Sequence, residues 1–327
     1  VRQTWREAHR IAQITATHAH HDLGVNRGGY VDVFQAIRMT DVPMRLEHMP
    51  NLFGIYICPA SDGPGILLNS GLSLSALRHT AAHELGHHRF GHGDSVDRYL
   101  DPWYGQAPGG WSGPEMSAEA FAAWFLMPRP AVLAGLATLA LHRPRTAEDV
   151  YRLATLLGVS FRGLARHLVT LRLADAADAQ TWARTGRGQL RRRLAGAAAD
   201  LCRGEVHLLR PEMGDLSIHA GADDLLVLPV ATPAQDLVLN LAAGLEPISP
   251  TGGAQMQGRK PDHTAAPKCW RVTPNLTAPT TLGVPAGPGA ARDWAICVEP
   301  VRVREGIDLD WLEAHQDHYP DEDPTPW

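Results

Sequence analysis

His83-Glu84-Leu85-Gly86-His87, inside the run RHTAAHELGHHRFGH (Arg78–His92), is the stretch on which the reading of this chain turns. Histidines four apart lie on one face of an α-helix. Two imidazoles placed so can hold one Zn2+, and the glutamate between them can reach a water at the metal as its general base. This is the H-E-x-x-H pattern of zinc-dependent peptide hydrolysis. With 17 histidines in the chain, the pentapeptide needs support from its surroundings.

Working outward, the helix that carries it spans about Ser73 to Phe90, with Ser73 or Ser75 as cap and Gly91 and Gly93 as its end. Upstream, residues 1–22 show amphipathic helical periodicity and 30–39 a second, short helix. Strand-like runs follow at Met44–His48, Phe53–Cys58 and Gly65–Asn69, separated by turn formers. Residues 93–113 are rich in Gly, Pro and Asp and read as a long loop of the kind that carries function. A helix at Pro114–Met127 stops at Pro128-Arg129-Pro130. Helices are expected at 130–141, 146–157 and 160–173, and a basic one with Arg191, Arg192 and Arg193 at 184–203.

After Gly204 the pattern changes to short β-like runs at Glu205–Leu209, Leu216–His219, Asp224–Val230, Trp270–Thr273 and Trp294–Val303. A Gly/Pro-rich interval covers 248–268, and the acidic, Pro-rich end DHYPDEDPTPW reads as a disordered tail. The expectation is an α+β protein with four parts. Residues 1–145 form a zincin-like metallopeptidase core, 146–203 a helical extension, 204–312 a separate β-rich domain, and 313–327 the tail.

Composition narrows the class. The 327 residues are 44% hydrophobic and 20% charged, as in a soluble globular protein. A net charge of −5 gives no electrostatic footprint for nucleic acid over the whole chain. No apolar run reaches the ~18–20 residues of a membrane span. The polar start VRQTWREAHRIAQ does not read as a signal peptide. Cys58, Cys202, Cys269 and Cys297 are far apart, as expected of free thiols in the cytoplasm.

A catalytic zinc takes three protein ligands and keeps an open position. His83 and His87 supply two. His92 misses the register of a metzincin third histidine by one residue, since Phe90 and Gly93 occupy the positions of its Gly and His. Glu115 and Glu119, four apart on the next helix, are the other candidates. One carboxylate there can bind metal while its neighbour accepts a hydrogen bond from a ligand histidine.

The two blocks together resemble the bacterial ImmA/IrrE metallopeptidases, a gluzincin-like family with R-x-T-x-A-H-E-x-G-H followed by E-x-x-A-N-x-F-A-A-x-L-L-M-P. Arg78–His87 reads RHTAAHELGH, and Glu115–Pro128 reads EMSAEAFAAWFLMP. The resemblance covers roughly residues 5–175. It implies one Zn2+ held by His83, His87 and Glu115, with Glu84 as general base. Glu119 stands where the family has Asn, and the resemblance leaves it the role of orienting a ligand. It further implies a small sheet before the active-site helix, one edge of which pairs with extended substrate. His79, His88, His92, Tyr99 and Tyr104 are candidates for the donor to the oxyanion, with Tyr99 and His92 foremost. The implied partner is a helix-turn-helix transcriptional repressor, cleaved to relieve repression in a stress response or a mobile-element switch.

Residues 147–172 themselves resemble a helix-turn-helix, with Arg162, Arg166 and Arg172 on the second helix. The family resemblance implies such helices after the protease core, where they often serve packing. The alternative reading is a DNA- or protein-binding transcriptional regulator with a non-catalytic zinc site. The Arg191–Arg193 run reads as a solvated linker face.

Overall fold

The computed structural model describes residues 3–61, 63–97, 111–228, 244–248, 268–284 and 294–301. The chain is α+β. It opens with α1 (Trp5–Asp22), capped by a reciprocal pair in which the Thr4 side chain accepts from the Glu7 N–H and the Glu7 carboxylate from the Thr4 N–H. Ala8, Ala12, Ala16 and Ala19 form a buried small-residue stripe on α1, which lets it lie close against α4. A short α2 (Val33–Arg38) follows.

The first sheet holds β1 (Met44–Glu47), β2 (Gly54–Ile57), β3 (Gly65–Asn69) and β4 (Ser95–Asp97) in the order β1-β3-β2-β4. β1 runs parallel to β3, and the other two pairings are antiparallel. Between β3 and β4 runs α3 (Leu74–Phe90), the helix of the HELGH stretch. Ser73 is its N-cap residue but makes no side-chain capping bond, and Gly91 ends it at φ 65°. α4 (Gly113–Leu126) packs on α3; its N-cap Ser112 accepts from the Glu115 N–H at 3.3 Å.

Then come α5 (Arg129–Thr138), α6 (Ala147–Leu157), α7 (Phe161–Thr170), α8 (Ala176–Ala183) and α9 (Arg187–Ala195). The structure departs from the sequence expectation in three places here. The 93–113 segment contains β4, and its residues 98–110 lie outside the described ones. The expected basic helix at 184–203 is shorter, because Gly196 at φ 57° breaks it and a 3-10 turn (Gly196–Asp200) follows. α8 fills a stretch for which no helix was expected.

Among the described residues seven strands follow: β5 (Val206–Leu208), β6 (Leu216–Ala220), β7 (Leu225–Leu228), β8 (Leu245–Ile248), β9 (Lys268–Val272), β10 (Thr280–Val284) and β11 (Trp294–Pro300). They form two sheets, β5-β7-β9-β8 and β10-β11-β6. β8 and β10 were not expected from sequence. One hydrophobic cluster runs from Ala8 on α1 through α3 and α4 to Val206, Leu225, Val227 and Cys269. A second, around Trp270, Trp294 and Ile296, lies among the later strands. The tail 313–327 lies outside the described residues. Cys58, Cys202, Cys269 and Cys297 form no disulfide. Among the described residues no single helix is long and apolar enough to cross a membrane.

Candidate metal centre

The site is built where α3 and α4 touch. Gly86 makes that approach: a Cβ there would stand 3.1 Å from Ala118 Cα and 3.1 Å from a Phe121 ring carbon. With the helices this close, the first turn of α4 brings Glu115 to the histidines of α3. His83 Nε2 and His87 Nε2 are 3.0 Å apart, and Glu115 Oε2 is 3.2 Å from the first and 3.6 Å from the second. The three ligand atoms lie within 4.8 Å of one another. Both histidines are buried, and the Glu115 side chain keeps 30% exposure, so solvent reaches the cluster past Glu115.

Donor chemistry and convergence fit a divalent metal of the zinc type, for which two imidazoles and one carboxylate are a common ligand set. Electrostatics agree. Burial works against charge on His83, but Glu115, Glu119, Asp97 and Glu84 outweigh it and hold its pKa well above the usual range. Burial likewise opposes charge on Glu115, yet His83 and His87 keep its carboxyl well below the usual range. Such a pile-up of carboxylates around an imidazole attracts a cation, and a metal entering it displaces the proton.

Glu84, between the histidines, is fully buried with no hydrogen-bond partner for either oxygen. Burial pushes its pKa to about 8, with Asp97 and Glu115 adding to the rise against His83. The room it occupies depends on Gly54 of β2, where a Cβ would lie 2.5 Å from Glu84 Oε1 and 2.6 Å from a Thr80 methyl. The Gly in the second strand thus lets the sheet pass directly over the carboxylate.

The far nitrogens of the histidines are also faced. Glu119 Oε2 stands 3.7 Å from His83 Nδ1, beyond hydrogen-bond range, and accepts from His79 Nε2 at 2.8 Å. His92 Nδ1 lies 3.1 Å from His87 Nδ1. With His87 Nε2 turned to the cluster, its Nδ1–H donates to His92. His92 is held neutral by burial, its pKa lowered to about 4. His88 Nδ1 pairs with the Tyr56 hydroxyl at 3.3 Å. Tyr99 and Tyr104 lie outside the described residues.

Sequence reasoning missed β4. Ser95 Oγ donates to Glu115 Oε1 at 2.9 Å, so the carboxylate presents its other oxygen, Oε2, to the histidines. Asp97 Oδ2, also buried, is 3.8 Å from His83 Nε2. Both project inward from β4, while Val96 between them is exposed. The only signal was a three-residue polar–apolar–polar alternation, Ser95-Val96-Asp97.

Residues 38–168 match the family model of peptidase M78, described as the IrrE N-terminal-like domain. The match begins at the end of α2, covers the first sheet, α3 and α4, and ends in α7. No curated protein matches the chain.

Proposed function

Residues 38–168 belong to the ImmA/IrrE peptidase family, and on that premise we propose that this protein is a zinc-dependent endopeptidase of narrow specificity. One observation carries the reading: His83, His87 and Glu115 offer ligand atoms within 4.8 Å of one another beside the buried, unpartnered carboxylate of Glu84. When bound, zinc supplies Lewis acidity and brings the pKa of its water to ~7.

The chain's own groups do the rest. Glu84 takes the proton of the attacking water and passes it to the leaving amine. His92 orients His87 through its far nitrogen, Ser95 fixes Glu115, and Glu119 places a negative charge 3.7 Å behind His83. β4 is an edge strand among the described residues, and an extended substrate adding to its free side runs past Glu115.

The substrate class follows from the family resemblance: a helix-turn-helix repressor in the cytoplasm, cut to relieve repression in a stress response or a mobile-element switch. Direct DNA binding by α7 is not favoured. That helix buries Phe161, Leu164, Ala165, His167 and Leu168, and the chain carries net charge −5. The test is incubation with a repressor encoded beside this protein's gene, with and without chelator. A single cut, lost with chelator, is expected. A repressor left intact in every condition counts against the substrate assignment.

A further inference from the structure

The Arg191–Arg193 run, which reads in sequence as a solvated linker face, forms one wall of a groove. Leu190, Leu194 and Ala195 are buried and fix α9 to the molecule, while Arg192 and Arg193 are exposed. Gly196 ends the helix at φ 57°, and the 3-10 turn that follows folds back along it. Ala199 and Asp200 of that turn face the arginines across a groove of about 550 Å³. The Arg191 guanidinium donates to the carbonyls of Ala199 and Cys202, so backbone holds it in place and no carboxylate neutralises it among the described residues. Arg192 pairs with Asp200 at 2.9 Å, but both side chains are more than half exposed, and a pair so placed is screened and opens easily. Arg193 makes no ion pair among the described residues. From 184 to 203 the chain has six arginines and one carboxylate, in a protein of net charge −5. The positive charge is thus a local feature of this face.

The rest of the lining decides the ligand. It consists of Gly188, Gln189, Ala199 and Asp200, with no aromatic and no large apolar side chain. A protein partner is held by an apolar centre, and single-stranded nucleic acid by aromatic rings on which its bases stack. A groove that offers little but guanidinium groups matches a row of phosphates, which the planar fork of arginine contacts through paired hydrogen bonds. Arg191, already placed, loses little freedom in doing so. We infer that the groove between α9 and the 3-10 turn binds the phosphodiester backbone of a nucleic-acid duplex. Phosphate contacts carry no sequence information, so the binding is indifferent to sequence. The inference is independent of the proposed peptidase, since it uses neither the metal nor a cleaved substrate.

The probe is a labelled DNA duplex of mixed sequence and about 20 base pairs, titrated with the full-length chain and followed by fluorescence anisotropy. Binding in the range of roughly 1–100 μM at low salt is expected, weakening with salt at a log–log slope of about −3, the mark of three or four phosphate contacts. Arg192→Gln with Arg193→Gln is expected to weaken binding at least about tenfold and to reduce the slope by about 2. Asp200→Asn removes the one carboxylate of the groove and is expected to tighten binding about threefold, a gain that a misfolded chain cannot produce. Arg6→Gln with Arg10→Gln, exposed positions on α1, is expected to leave the affinity unchanged. No saturable binding, an arginine double variant or an Asp200→Asn chain that binds as the parent does, or an equal loss in the α1 variant overturns the site. Polyglutamate of matched charge bound as tightly as the duplex makes the groove a surface for acidic polypeptide, and a single strand bound more tightly makes it one for unpaired bases; either result overturns the assignment to a duplex backbone.

Discussion

At Glu84 the chain buries a carboxylate with neither oxygen hydrogen-bonded, and burial raises its pKa to about 8. Between about pH 4.5, the value for the free side chain, and about pH 8, the folded metal-free protein holds a proton that the unfolded chain has released. The unfolded state binds fewer protons there, so this group's contribution to stability falls as pH rises through that window. Glu84→Gln removes the dependence. The metal-free variant is expected to gain on the parent by roughly 1 kcal/mol per pH unit across it. Urea unfolding at pH 5 and pH 8 measures this, and an equal difference at both values contradicts it. Ser95 has a different job, and its removal frees Glu115 Oε1. Ser95→Ala is expected to weaken metal binding about 10–100-fold, with Ser95→Thr restoring it. Parent-like affinity in the alanine variant would remove Ser95 from the site. His83, Glu84, His87, Glu115 and Glu119 were legible because helical spacing and two motif blocks mark them. Ser95 and Asp97 were not, since a three-residue strand leaves almost no pattern.

Elements with punctuation were the easiest to read. Proline and Gly91 bound α3 and α4 closely, because a residue that cannot continue a helix leaves a mark in the sequence. β4 was lost among Gly, Asp and Pro, and β8 and β10 include Pro247 and Gly283, which disguise a strand. What no propensity conveys is how close two helices come. Gly86 sets that distance for α3 and α4. Gly86→Ala gains up to about 1 kcal/mol of helix propensity but crowds Ala118 and Phe121 at a cost of roughly 1–3 kcal/mol. The helices are expected to part by a few tenths of an ångström, drawing Glu115 from the histidines. Metal affinity should then fall about tenfold or more, out of proportion to the small change in unfolding free energy. Chelator competition and urea unfolding of the same variant separate the two effects, and a metal affinity equal to the parent's would contradict the spacing argument.

Over the whole molecule, the change from helical to β-like patterning near residue 204 was legible, but the packing across it was not. Periodicity reports which face of an element is apolar, not which partner covers it. One hydrophobic cluster holds residues from α1 and from β5, β7 and β9 alike, and the Tyr151 hydroxyl of α6 donates to Glu205 at 2.6 Å. The metal helix therefore folds within a core to which the later strands contribute. The central claim, one zinc held by His83, His87 and Glu115 in a working peptidase, belongs to this scale. Its most direct test is the zinc content of the purified full-length chain, measured beside Glu84→Gln and Glu115→Ala. The account predicts one zinc per chain in the parent and in Glu84→Gln, with cleavage lost only in the latter, and a zinc content near zero in Glu115→Ala. A parent chain without stoichiometric zinc, or a Glu115→Ala chain that keeps it, would contradict the account.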